Sequence, residues 1–451
     1  MSLENVREAV AGRFPELVDE LMELVRIPSV SAPSFAQSHL DDSAERVAAL
    51  LRGAGLDDAR VVRTAASRPA VIGHRQVDTD APTVLLYAHH DVQPPGDDAH
   101  WEGQPFEPTR IGDRLFGRGA ADDKAGIVAH VGALRALGDD LPVNVTVFVE
   151  GEEEIGSPAI AEFLDEFSAE LGADVIVIAD SANWAVGVPA LTTSLRGLVS
   201  LDVNVRVLKH AVHSGMYGGP VLDALVVLSR LIATLHDDDG SIAVAGLTSA
   251  GDPAVDMDEA SLRADAGIVD SLRLAGKGPV TARLWTRPAI SVIGIDAPSV
   301  AQSSNTLVPS ATARISVRIA PGQDPDSAEA ALRAHLAAQV PFGAELTVAR
   351  SENSGRPFQV SVDAPGMAQA RAAFAAAWGR EPVDVGIGGS IPLVADFHEL
   401  FPEATILVTG VEDPDSRAHG ANESVHLGEL ERVVVAEALL LSELGATWTE
   451  R

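Results

Sequence analysis

Several short apolar runs in this chain end abruptly in ionisable residues, and no other feature constrains the fold as strongly. TVLLYA (83–88) leads into His89, His90 and Asp91. VNVTVFV (143–149) leads into Glu150, Gly151, Glu152, Glu153 and Glu154. DVIVIA (174–179) leads into Asp180, and TILVTG (405–410) precedes a loop holding Arg417 and His419. Runs this short, rich in Val and Ile and lacking polar alternation, read as strands buried on both faces. Helical patterns separate them, at Ser43–Leu56, Lys124–Leu137, Pro158–Leu171, Gly366–Trp378 and Gly428–Leu444. Strands alternating with helices predict an α/β domain, a mostly parallel sheet with helices on both faces.

The middle of the chain follows a different rule. LVSLDVNVRVL (198–208) alternates with period two, as a strand with one open face does. ISVIGI (290–295) and ATARISVRI (311–319) also read as strands, and Pro220–Leu235 and Asp324–Gln339 as helices. Ser249–Asp258 is polar, contains Gly251 and Pro253, and reads as a loop. The expectation is an α+β domain inserted into a discontinuous catalytic domain. Residues 1–197 and 355–451 would form the catalytic part and 198–354 the insert.

In open parallel sheets, ligands bind outside the carboxyl ends of the strands. The acidic and histidine clusters therefore have a physical reason to converge there, joined by GRGAADDKAG (117–126) before the helix from Lys124. Taken singly, each has a plain alternative: a solvated acidic loop, a hydrogen-bonded histidine, a turn at Asp180, or a glycine-rich phosphate cradle. The last lacks the spacing of either nucleotide motif. Taken together without a cation, the carboxylates could not all stay ionised. A divalent metal, or a pair, removes that cost.

Composition narrows the choice. Cysteine is absent, which removes disulfides and thiolate ligands and fits a reducing compartment. The formal net charge of −32 argues against nucleic acid and anionic lipid as partners. The sequence offers no run long and apolar enough to span a membrane and no basic-then-apolar leader, so a cytoplasmic location is expected.

These residues resemble the M20 metallopeptidases, and within them the carnosinase-like dipeptidase branch. The likeness spans nearly the whole chain. It rests on YAHHDVQP (87–94), LFGRGAADDKAG (115–126), EGEEEIGS (150–157), IAD (178–180), SLRG (194–197), HSGMYGG (213–219), GGSIP (388–392) and AHGANES (418–424). The resemblance implies a zinc-exopeptidase-like catalytic domain with an inserted lid and dimerisation domain. It also implies a two-metal site. Asp122 would bridge both ions, His89 and Asp180 would complete one site, and Glu154 and His419 the other. Glu153 would be the general base, and Asp91 would orient the His89 ring through its second nitrogen. His213 would serve the other subunit of a homodimer by stabilising the tetrahedral intermediate. Arg318 would grip the substrate carboxylate, with Thr306, Gly389 and Ser390 as further substrate contacts. For Arg318 a plain alternative stands, because it shares a strand face with Arg314 and could simply meet water.

Oxygen and imidazole donors suit Zn²⁺, with Mn²⁺ or Co²⁺ as alternatives. Two such ions about 3.5–4 Å apart can share a water and lower its pKa toward neutrality. The expected chemistry is attack of that hydroxide on an amide, with Glu153 carrying the proton to the leaving amine. The expected substrates are dipeptides or small peptides. The alternative within the family is removal of an N-acyl group from an amino acid, and a remoter one is a metal-binding protein without turnover. Two departures bear on substrate choice. Ile387 stands where the branch often has an acid before GGS, and Asn353 stands nearest to a histidine of the branch.

Overall fold

The computed structural model describes residues 1–389 and 392–448. The chain divides into two compact units. One comprises Met1–Thr193, Val360–Val385 and Asp396–Arg451, the other Ser194–Gln359 and Gly386–Ala395.

The first unit is built on a mixed sheet. Seven of its strands run Arg60–Val62, Ala70–Arg75, Asn144–Glu150, Thr83–His89, Val175–Ile178, Thr405–Val408 and Ala190–Leu195 in spatial order, and Phe358–Gln359 and Val383–Ile387 also pair with the last of these. The four strands from Asn144–Glu150 to Thr405–Val408 are mutually parallel. The margins are antiparallel: Ala70–Arg75 against Asn144–Glu150, and Thr405–Val408 against Ala190–Leu195. The parallel centre is the part that the apolar runs predict. All seven residues of Asn144–Glu150 and all four of Val175–Ile178 are buried, which explains why neither alternates in sequence.

The helices form where periodicity places them, with ends shifted by a few residues: Ser38–Gly53, Lys124–Leu137, Ile160–Leu171, Met367–Trp378 and Leu427–Thr447. Lys124–Leu137 buries 13 of its 14 residues, so it is a central helix, apolar on every side. Leu3–Val25 is a further long helix. It buries Val6, Val10, Leu17, Leu21 and Leu24 on one stripe, and Ser2 caps its first turn.

The second unit carries a four-stranded antiparallel sheet in the order Ala289–Asp296, Ser310–Ile319, Gly197–Arg206, Glu345–Gly355. Val199, Leu201, Val203 and Val205 alternate with Ala311, Ala313, Ile315 and Val317 on one face. There they pack with Leu228 and Leu231 of the helix Ala224–Ala233 and with Leu332 and Leu336 of Pro325–Gln339. The period-two pattern read at 198–208 is this half-buried strand. Ser249–Asp258 is irregular, as its composition predicts.

No described helix is long and apolar enough to cross a membrane.

Candidate metal centre

The parallel strands of the first unit end at His89, Glu150, Ile178 and Val408. The polar clusters lie in the segments that follow these ends and in 117–126, and they meet. Asp122 joins two imidazoles: its Oδ1 lies 3.0 Å from His89 Nε2 and its Oδ2 3.0 Å from His419 Nε2. His419 Nε2 is also 3.2 Å from Glu154 Oε2. The donor atoms fall into two groups, His89 with Glu153 and Asp180, and Asp122 with Glu154 and His419. Within each group the ligand atoms lie within 4.8 Å of one another. The structure thus gathers His89, Asp122, Glu153, Glu154, Asp180 and His419, which are far apart in sequence. Glu153 lies inside the first group and not beside it.

Electrostatics tests whether these residues fit a cation. Burial pushes the Asp180 carboxyl up to about 7, with Asp122 and Glu154 adding to the rise. Burial likewise raises Glu153 well above the usual carboxylate range, helped by Asp180 and Glu154. Burial opposes charge on His89, but the Asp122 and Asp91 carboxylates outweigh it and raise the imidazole well above its ordinary value. Hydrogen bonds that His419 donates to Asp122 and Glu154 lift it to about 11. The two imidazoles in turn overcome burial at Asp122 and hold it well below the usual range. Left to protons alone, the cluster holds positive charge on its histidines and suppresses negative charge on Glu153 and Asp180. Divalent cations would reverse both, since ligation requires neutral imidazole and ionised carboxylate. The donor set, imidazole and carboxylate without thiolate, fits such ions.

The acidic run 150–154 divides into two tasks. Glu150 points back into the fold, where Oε2 accepts the Tyr87 hydroxyl at 2.8 Å, and burial lifts its carboxyl to about 7. Glu152 accepts the backbone N–H groups of Arg68 and Ala159 at 3.1 and 2.9 Å, tying loop to helix. Glu153 and Glu154 alone face the centre. Asp91 sets them there: its two oxygens accept the N–H groups of Glu153 and Glu154 at 3.2 and 3.1 Å. Asp91 also flanks the His89 ring on its Nδ1 side. His89 Nδ1 bonds the Asp91 backbone carbonyl at 3.1 Å, while the carboxylate lies 3.5 Å away.

Three residues at the centre go beyond those singled out in sequence. Gln93 clamps Glu154, its backbone N–H reaching Oε1 at 3.0 Å and its Nε2 reaching Oε2 at 2.8 Å. Glu423 accepts four donors: Arg118 Nη1 at 2.6 Å and the N–H groups of Gly119, Ala121 and Asp122 at 3.0–3.1 Å. Glu412 follows the strand Thr405–Val408. Burial, then the charges of Asp122 and Asp180, raise its carboxyl well above the usual range. Glu412 is legible by the rule applied to the other strands, since an apolar run precedes it. Gly410 makes its position possible: a Cβ there would stand 1.4 Å from the Ser181 carbonyl oxygen, so only glycine lets 410–412 run against 181–183.

The remaining predicted residues belong to the second unit. His213 and Thr306 are cross-strand partners in a two-stranded ribbon, a pairing not visible in sequence. The His213 side chain is exposed, and its Nδ1 accepts the Gly215 N–H at 3.0 Å. Arg318 is half-buried on the strand Ser310–Ile319. Arg314, on the same face, pairs with Asp202 through two bonds of 2.7 and 2.8 Å, so the plain surface reading holds for Arg314. Gly389 lies in the segment Gly386–Ala395. Ser390 lies outside the described residues, as does the side chain of Asn353.

Comparison with known proteins gives the same direction. The profile of peptidase family M20/M25/M40 matches residues 85–443. Cysteinylglycine-S-conjugate dipeptidase of Corynebacterium striatum is 35% identical over 442 residues, 95% of each chain. Human Beta-Ala-His dipeptidase is 26% identical over 461 residues, covering 94% of this chain and 89% of its own. The crystal structure of human carnosine dipeptidase 1 superposes with a TM-score of 0.79 at 25% identity over 99% of both chains. That of the Saccharomyces cerevisiae di-peptidase Dug1p gives 0.81 at 22% identity, a likeness of fold. With the profile spanning most of the chain, and a relative of this identity matched almost end to end, the chain belongs to peptidase family M20/M25/M40 and is a metallopeptidase.

Proposed function

We propose that this chain is a two-metal dipeptidase that hydrolyses the single amide bond of small dipeptides of the cysteinylglycine or β-alanyl-histidine kind. The observation that carries this reading is the position of Asp122, with one oxygen 3.0 Å from each of two imidazoles that belong to separate donor groups. A carboxylate so placed suits a bridge between two cations. His89 and Asp180 would hold one, and Glu154 and His419 the other. Divalent ions bound there supply Lewis-acid polarisation of a carbonyl and lower the pKa of water. Zn²⁺ fits the donors, as do Mn²⁺ and Co²⁺. The relatives reported above are dipeptidases, so the deacylase alternative is not favoured.

The chain's own residues do the proton work. Glu153 takes the proton of the attacking water and delivers it to the leaving amine. Its carboxylate lies within 4.8 Å of the His89 and Asp180 donor atoms, close enough to serve a water held there. Asp91 fixes the turn that carries Glu153 and Glu154. Arg318, Gly389 and Ser390 bind the substrate.

The protein acts as a homodimer through its second unit. The strand Ala289–Asp296 is an open edge of the four-stranded sheet, and Val292, Ile293 and Ile295 on it are exposed. An exposed apolar edge invites pairing with a second copy. His213 and Thr306, side by side and exposed, would then reach the partner's centre, where His213 donates to the developing oxyanion.

Glu153→Gln is the decisive experiment for the centre. Turnover of a dipeptide should fall by about 10²–10⁴-fold, while the metal content stays at that of the native protein. Undiminished turnover would end the assignment of Glu153. Loss of one metal equivalent would make it a ligand of the His89–Asp180 group.

A further inference from the structure

Residues within 236–252, 275–287 and 288–290 of the second unit line a cavity of about 570 Å³. The lining includes none of the metal-centre or substrate residues. The chain as a whole carries 65 acids against 33 lysines and arginines, and this cavity reverses the balance. Lys277, Arg283 and Arg287 line it together with His236, and Asp252 is the one carboxylate among the described lining residues. Arg287 engages that carboxylate at 3.0 Å, and Lys277 pairs with Asp239, which stands outside the lining.

Arg283 is half-buried and has no carboxylate partner among the described residues. Its Nη1 donates to the Ala275 carbonyl at 3.0 Å and its Nε to the Pro279 carbonyl at 3.4 Å, while its Nη2 makes no bond with them. The His236 ring, also half-buried, makes no hydrogen bond or ion pair with them either. Partial burial with neutral partners leaves the Arg283 charge uncompensated, and an anion would remove that cost.

The loop 275–278 is shaped to hold these cations. Gly276 and Gly278 have φ of +78° and +84°, a conformation that strains any other residue. A Cβ on Gly278 would also stand 2.5 Å from Arg287 Nη2. The two glycines let the loop turn its carbonyls onto the arginines, Ala275 onto Arg283 and Lys277 onto Arg287. Guanidiniums fixed in this way lose little freedom on meeting a ligand. Ile242, Leu247 and Ile290 add an apolar wall.

We propose that this cavity binds a small organic phosphate, with the phosphoryl group on Arg283, Arg287 and Lys277 and the apolar body against Ile242, Leu247 and Ile290. A phosphate monoester carries about −1.5 to −2 charges near neutrality and three acceptor oxygens. A guanidinium matches such oxygens two at a time. A monocarboxylate brings one charge and two oxygens, which leaves donors here unmet. The volume falls within the roughly 300–1,000 Å³ of small-molecule sites, so there is room for more than the phosphoryl group.

The test is calorimetric titration of the metal-loaded protein with phenyl phosphate at fixed ionic strength. The wild type should bind it at a site that Arg283→Met weakens by about 10-fold or more, while turnover of a dipeptide stays at the native level and shows that the variant is folded. Phenyl phosphate held by the metal centre would be indifferent to Arg283, so unchanged affinity in Arg283→Met overturns the proposal, as does a wild type that binds none. Lys277→Gln, at a side chain that is 76% exposed, serves should Arg283→Met fail to fold. It should weaken binding by about 3-fold, and unchanged affinity there would count equally against the site. Benzoate should bind about 10-fold more weakly than phenyl phosphate; equal affinity would overturn the assignment to phosphate. Inorganic phosphate should displace phenyl phosphate, and failure to do so would mean that the ring alone is recognised, which also overturns it.

Discussion

Glu423 shows how one side chain can fix a loop from behind. Its carboxylate collects the guanidinium of Arg118, itself 1% exposed, and the loop N–H groups of Gly119, Ala121 and Asp122. Glu423→Ala would leave Arg118 buried with carbonyl partners only, and three donors unmet. Loss of one partner from a buried pair costs about 3–5 kcal/mol, so the urea midpoint should fall markedly. Asp122 would lose its support, and metal affinity should weaken by about 10–100-fold, as when outer hydrogen-bond partners are removed. Glu423→Gln keeps an acceptor and should lie between. An unchanged midpoint with unchanged metal affinity would show that Glu423 holds nothing. Such roles are poorly legible in sequence. The acids 150–154 look alike there, yet Glu150 and Glu152 serve Tyr87, Arg68 and Ala159, while Glu153 and Glu154 face the centre. The division depends on partners brought from distant segments, and no local pattern encodes them. What sequence does carry is the set of acids and imidazoles at strand ends, because the strand positions are themselves local.

The elements were more legible than their pairing. Buried strands such as Val175–Ile178 show as unbroken apolar runs, and Gly197–Arg206 shows as alternation, because burial on two faces or one dictates each pattern. The antiparallel margin at Ala70–Arg75 was not legible, since strand direction is set by connections beyond any local window. Helix contacts are likewise non-local. His130 lies wholly inside Lys124–Leu137 and donates across to Glu437 on Leu427–Thr447, with Nδ1 2.8 and 2.9 Å from the two carboxylate oxygens. Its Nε2 is 3.0 Å from the Tyr87 carbonyl oxygen. Burial opposes charge on His130, but Glu437 outweighs it and raises the imidazole above its ordinary value. The folded pKa therefore exceeds the unfolded one, near about 6.5. This pair contributes its full stability below that value and loses it as pH rises through the higher folded pKa. His130→Ala should cost about 3–5 kcal/mol at pH 6 and should flatten the decline of stability above neutrality. Denaturation midpoints measured across pH would decide it, and parallel pH curves for both proteins would refute the charged pair.

At the scale of the whole molecule, the two donor groups belong to the first unit, and His213, Thr306 and Arg318 to the second. A dimer with shared sites makes a sharp quantitative demand on that division. Let one chain carry His213→Ala and the other Asp122→Ala, each inactive alone. In a mixed dimer, the chain with intact Asp122 receives an intact His213 from its partner, while the opposite site carries both lesions. Equal mixing yields half mixed dimers, each with one competent site of two, so about a quarter of native activity should return. If His213 serves its own chain, every site keeps one lesion and nothing returns, however completely the subunits exchange. Exchange is monitored by native mass spectrometry on chains of different tag mass, which separates failure to mix from failure to complement. The recovered fraction then reports whether catalysis needs one chain or two: near one quarter, the partner's His213 completes the centre, and near zero with mixing complete, each chain works alone.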